Sequence, residues 1–282
     1  MWIVNAFLSA LFAGLTSILS KMGLENISSH YATALRTSIV VLFTWLMYFL
    51  TNSSFAGINT YNLTFIIMSG IVTGLSWLCY FRALSMADVT QVSPIDKLST
   101  FFTMIMAFVL FDEKITILKI FCMLLMLFGT YCMQQQTQIK NDQTKQWMIY
   151  AFGSAIFASL TSILAKIGIS HVDSQTVTAI RTMVVMVMAW IVVGVTHTYQ
   201  PMRILNKKQV RAIVLSAIAT GLSWLCYFEA LKTGPASIVV PIDKLSIVVS
   251  IGFATFILHE KQNKKNLIGL FCVVVSTLLL LV

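Results

Sequence analysis

The chain has 282 residues, 58% of them hydrophobic and only 10% charged, with a mean hydropathy of +0.86. A soluble globular domain is about 25% charged. Nineteen Lys/Arg, ten Asp/Glu and four His cannot cover the surface such a domain would need. The net charge of +9 is spread over short polar connections and forms no basic domain, which argues against a nucleic-acid partner and leaves these residues to set orientation at a membrane boundary.

The apolar runs predict an all-α integral membrane protein of ten transmembrane helices. Strict alternation is absent and the runs exceed barrel-strand length, so helices satisfy the backbone in lipid. The first half gives residues 3–20, 31–50, 62–84, 90–111 and 117–133. The first of these lacks a basic leader and a clear cleavage site, and reads as a retained span. A polar linker, QQQTQIKNDQTKQ, occupies 134–146. The second half gives 147–166, 175–195, 210–231, 235–258 and 267–282. The chain therefore divides into a unit at 1–133, the linker at 134–146 and a unit at 147–282. Trp2, Tyr61, Trp147 and Tyr199 sit near segment ends, where amphipathic rings prefer the interface.

The halves repeat. TGLSWLCYFRALSMADVTQVSPIDKLS at 73–99 and TGLSWLCYFEALKTGPASIVVPIDKLS at 220–246 are identical at 18 of 27 positions. LTSIL followed by a lysine recurs at 15–21 and 160–166, and Ala34, Arg36 and Thr37 recur as Ala179, Arg181 and Thr182. Glu113–Lys114 recurs as Glu260–Lys261. Five spans is an odd number, so directly joined units lie in opposite senses as two inverted five-helix repeats. Secondary transporters commonly use this arrangement for alternating access.

Ionisable groups in hydrocarbon are costly and usually face a partner or a polar interior. Asp96 and Lys97, after Pro94, and Asp243 and Lys244, after Pro241, are candidates for lining a cavity or for tying helices together. Both prolines are expected to interrupt their helices. Adjacent Asp and Lys point about 100° apart on a helix, so they need not pair with each other. Lys21, Lys166, Arg36 and Arg181 either snorkel, bridge to Asp96 or Asp243, or line a path for an anion. Arg82 and Glu229 occupy equivalent positions with opposite charge and break the symmetry. Ser76 and Tyr80, repeated as Ser223 and Tyr227, share a helix face that suits a solvated path. Cys79, Cys122, Cys132, Cys226 and Cys272 read as apolar fillers. With no metal-ligand spacing or phosphate loop, no cofactor is expected. The four histidines are scattered, and His259 beside Glu260 reads as a helix cap.

Tyr80-Phe81-Arg82-Ala83-Leu84, Pro94 and Glu113, with Tyr227-Phe228-Glu229-Ala230-Leu231, Pro241 and Glu260, resemble the EamA-type members of the drug/metabolite transporter superfamily. Gly269 fits the glycine usual near the start of the following helix, where the first half has Cys122. The PIDKLS form resembles a bacterial subgroup. The resemblance spans essentially the whole chain and implies the ten-helix inverted-repeat fold of a metabolite transporter in a bacterial inner membrane. It implies a cavity lined by Thr16, Ser76, Tyr80, Asp96, Thr161, Ser223, Tyr227 and Asp243. The expected partners are lipid and a small polar substrate, with the buried basic excess favouring an anion or zwitterion and the aspartates offering proton coupling. The alternative is a non-transporting membrane enzyme or scaffold. The expected assembly is a monomer or homodimer. The resemblance implies cytoplasmic termini, whereas lysine-rich loops on the opposite side favour external ones.

Overall fold

The computed structural model describes residues 1–23, 27–86, 89–133, 146–170, 172–199, 206–257 and 264–281. The linker expected at 134–146 falls outside them except for Gln146, as do His171, His259, Glu260 and Lys261. The helices are α1 (Trp2–Gly23), α2 (Ser29–Leu50), α3 (Thr60–Leu84), α4 (Val89–Leu110), α5 (Ile117–Cys132), α6 (Gln146–Gly168), α7 (Ser174–Val195), α8 (Lys207–Thr233), α9 (Ala236–Asp243), α10 (Ser246–Ile257) and α11 (Lys264–Leu279). α9 and α10 are two parts of one span, so eleven helices make ten crossings.

Local chemistry sets several of the starts. The side chains of Ser28, Asn59 and Thr116 accept the backbone N–H of Tyr31, Asn62 and Lys119. Asn206 and Gln209 form a reciprocal capping box before α8. Each device satisfies donors that a helix leaves unpaired at its first turn. Seven spans, α9 with α10 among them, are long and apolar enough to cross a membrane by length and composition. α5 is shorter, at 16 residues. Its Ile117, Phe121, Leu124 and Phe128 are exposed, as are Leu42, Leu46 and Phe49 of α2 and Leu267, Ile268 and Phe271 of α11. Such belts are the lipid-facing surface of the fold.

The two prolines behave differently. α4 runs unbroken through Pro94. The ninth span breaks at Lys244–Leu245, where the chain tightens to three-residue bonds: Lys244 N–H to Pro241 O, 3.1 Å, and Leu245 N–H to Ile242 O, 2.9 Å. Interruption is therefore a property of the second repeat, although both carry the Pro-Ile-Asp-Lys sequence.

The halves are intertwined. α1 packs chiefly on α8, α9 and α10 of the other half, and α6 packs chiefly on α3 and α4. Among the described residues, three pairs of repeat equivalents pack against each other closely: α2 with α7, α4 with α9, and α5 with α11. Equivalents in contact must straddle the two-fold axis, which therefore threads these three contacts. Small residues bring the backbones close, as lipid-embedded packing requires. At the α5–α11 crossing, a Cβ on Gly269 would lie 2.4 Å from the carbonyl oxygen of Gly129. Cβ atoms on Gly70 and Gly74 would meet Val184 and Met188 of α7 at 2.7 and 2.5 Å.

Candidate functional site

The repeated aspartates anchor a repeated hydrogen-bond relay. Ser9 of α1 donates to Asp243 Oδ1 at 2.7 Å, and Ser223 of α8 donates to the Ser9 carbonyl at 3.0 Å. Ser154 of α6 donates to Asp96 Oδ1 at 2.8 Å, and Ser76 of α3 donates to the Ser154 carbonyl at 3.1 Å. Each relay ties three helices from both halves. Tyr227 donates to Ser162 at 3.0 Å and lies within electrostatic range of Asp243, as Tyr80 does of Asp96.

Asp and Lys of each pair point apart, as adjacency on a helix requires. The aspartates turn to α1 and α6. Lys97 and Lys244 turn into a crevice at the α4–α9 contact, shared with Thr100, Met104, Met126 and Thr130. Lys97 lies within electrostatic range of Lys244 and of both aspartates. Next to the relays, Thr220 donates to Thr16 at 3.3 Å and Thr73 lies 3.2 Å from Thr161.

Arg181 enters this interior from α7. It is 4% exposed. Its Nε donates to Ser69 at 3.0 Å and its Nη2 to Thr73 at 2.8 Å, both on α3. Its guanidinium carbon lies 4.9 Å from the Phe228 ring centre and 5.5 Å from that of Trp224. Close packing of α3 on α7 through Gly70 and Gly74 lets so long a side chain turn across to α3. Its repeat partner Arg36 is half-buried and donates to Ser20 at 2.7 Å.

At the face that carries the chain's two ends, Asp112 adopts a left-handed backbone (φ 50), open to aspartate more readily than to most residues, and turns the chain after α4. Glu113 then accepts Ala236 N–H at 2.8 Å, Ser237 N–H at 3.1 Å and the Ser237 hydroxyl. It thus caps α9, and it pairs with Lys166 at 3.2 Å. Lys166 also donates to Gly234 O at 2.8 Å and lies over the Phe111 ring. Burial opposes the Glu113 charge. The Ser237 hydroxyl, the Lys166 ammonium and the two backbone donors outweigh it and hold the carboxyl below its ordinary range. On the same face, Ser174 donates to Glu229, and Asn62 donates to the carbonyls of Gly168 and Ser170 at 3.0 Å.

The predicted residues thus fall into separate groups. Ser76, Asp96, Ser223 and Asp243 join the relays, with Tyr80 and Tyr227 beside them. Thr16 and Thr161 form the hydroxyl pairs, and Lys97 and Lys244 share the crevice. Lys166 pairs with Glu113, and neither aspartate is its partner. Arg82 is exposed near Tyr150 at the linker face, while Glu229 lies at the opposite face. The Lys21 side chain is outside the described residues.

Residues 1–134 and 145–282 each match the EamA-like transporter family. The chain belongs to that family. An uncharacterized transporter from the cobO 3' region of Sinorhizobium sp is 39% identical over 139 residues, 99% of that protein and 49% of this chain. One crystal structure of a protein superposes over 99% of this chain and 97% of its own, with a TM-score of 0.81 at 14% identity, which shows the fold alone.

Sequence reasoning toward the EamA-like fold passed over Ser9 and Ser154. The signal was present: the 145-residue offset that aligns the LTSIL motifs also aligns Ser9-Ala10 with Ser154-Ala155. Ser69 and Trp224 beside Arg181 carried no spacing that pointed to an arginine on α7.

Proposed function

We propose that this EamA-like protein is a secondary transporter that carries a small polar metabolite across a bacterial inner membrane by alternating access. One observation carries the reading: a symmetric sequence with asymmetrically closed ends. At the termini face Leu231, Phe228, Ile242 and Arg181 are buried. Their repeat partners Leu84, Phe81, Ile95 and Arg36, toward the linker face, are half-buried. α6 packs against α8 and α9, and α1 does not pack to that extent against α3 and α4 among the described residues. Exchanging the two halves' conformations would close the linker face and open the termini face.

The packing suggests which bodies move. α1 with α8, α9 and α10 forms one group, and α3 with α4 and α6 forms the other. Rocking between them about the axis contacts would part Glu113 and Lys166, which belong to the second group, from the start of α9 and from Gly234 O in the first. In this reading Asp96 and Asp243 exchange a proton as their serine relays rearrange, which couples transport to a pH gradient. The test is a metabolite screen in proteoliposomes, scored by exchange of labelled solute from inside to outside. Saturable counterflow absent from protein-free vesicles is expected. A protein that binds no solute and exchanges none across the screen would instead be a scaffold.

A further inference from the structure

Arg181 is a buried cation with no counter-charge among the described residues. Lys166 has Glu113, and Lys97 lies within electrostatic range of two aspartates. No carboxylate is within ion-pairing distance of Arg181 among the described residues. A guanidinium held only by neutral groups in a membrane interior is costly, and a purely structural pin between α7 and α3 would need no charge.

The donor inventory says what is missing. A guanidinium has five N–H groups in a planar fork. Ser69 and Thr73 take one from Nε and one from Nη2. Both hydrogens of Nη1 and the second of Nη2 have no protein acceptor among the described residues. Nη1 is not among the fully buried, unpartnered side-chain atoms of the described residues, of which His30 Nδ1 is one. The remaining hydrogens point from the end of the fork, with the geometry that a carboxylate accepts bidentately. Ser69 and Thr73 on one side and the Trp224 and Phe228 rings on the other fix the fork's plane. Depth agrees: Arg181 lies seven residues beyond the start of α7 at Ser174, about 11 Å along the helix, well inside a hydrocarbon core of roughly 30 Å.

We infer that Arg181 is the anion anchor of the transport path, binding the carboxylate of a singly charged organic solute through its free Nη1 and Nη2 hydrogens. One positive charge matches one carboxylate, and the adjacent rings accept an apolar body attached to it. Arg36, in the opposite repeat, already engages Nη1 with Ser20 and has no aromatic ring over its guanidinium among the described residues. The two repeats thus divide their labour, and only the second holds the solute's charge in this conformation. The inference rests on the transporter reading for calling the bound solute a cargo, but not for the site itself.

Benzoate tests it, with benzamide as the neutral probe of the same shape. Thermal unfolding of the purified full-length protein in detergent is followed with each probe for wild type, Arg181→Lys, Arg181→Gln and Arg36→Gln. Benzoate should raise the wild-type melting temperature in a saturable way and benzamide should not. Arg36→Gln should keep the response, Arg181→Lys should need about tenfold more benzoate, and Arg181→Gln should lose it. Should Arg181→Gln fail to fold, the Arg181→Lys affinity decides. Wild-type indifference to benzoate would overturn the assignment. So would an unchanged affinity in Arg181→Lys, or equal losses in the Arg36 and Arg181 variants. If benzoate binds through Arg181 but proteoliposomes exchange no labelled benzoate, the site stands and its role in transport falls.

Discussion

Two serines carry more of the interior than the charged residues that draw the eye. Ser9 and Ser154 each hold one aspartate, and each offers its own carbonyl to a serine of the opposite half. Replacing Ser9 by alanine leaves one Asp243 oxygen short of a donor, at a cost of about 1–3 kcal/mol, read as a lower melting temperature in detergent. Asp96→Asn and Asp243→Asn keep an oxygen for the serine and remove the charge. Both should fold, and both should lose the acceleration of uptake by an imposed pH gradient. A gradient response equal to wild type would take the carboxylates out of coupling. The serines were hard to read in sequence because helix hydroxyls in lipid usually bond to their own backbone, as Thr16 does to Phe12 O. Only their register across the repeat sets them apart. Arg181 was legible as a charge in the wrong solvent, but its partners arrive from α3 and α8, which no local spacing encodes.

Helices were the most legible level, because length and hydropathy are set by the membrane. The ten spans fall within a few residues of the apolar runs. The broken ninth span was legible only as a pair of prolines, and proline alone does not decide, since α4 passes Pro94 intact. Close crossings depend on which glycine meets a backbone. Gly269→Ala would drive a Cβ against the Gly129 carbonyl and should cost about 1–3 kcal/mol. Gly194→Ala, with no atom within 4 Å of its new Cβ, should be neutral or stabilising. Equal melting shifts for the two would remove the α5–α11 crossing as a tight contact. The start of α9 makes a second prediction. A carboxyl held below its ordinary range contributes fully above that range, and its contribution is lost only as pH falls through the lowered value. The Glu113 latch should therefore hold the termini face closed across neutral pH, and Glu113→Gln should release it at every pH. Spin labels at exposed Tyr61 and Lys232, on helices of opposite groups, should report a longer distance in that variant. An unchanged distance would assign closure to other contacts.

At the scale of the whole molecule, most packing runs between halves. α1 finds its main partners after the linker, and α6 finds its own before it. Residues 1–133 and 147–282 made as separate chains should therefore copurify through a tag on either, while neither alone should give a cooperative melt. Independent melting of a lone half would show that its internal contacts suffice. The inverted repeat was legible from an odd span count, but the exchange of partners was not, because sequence identity reports descent and says nothing of which copy touches which. The axis through α2–α7, α4–α9 and α5–α11 has a thermodynamic consequence. If the two halves were identical, the two facing states would be mirror exchanges of equal free energy, and each would hold half the molecules. Any resting preference is thus written only in the differences between repeats, such as Arg82 against Glu229 or Gly14 against Ser159. Each difference worth about 1.4 kcal/mol tilts the occupancy tenfold.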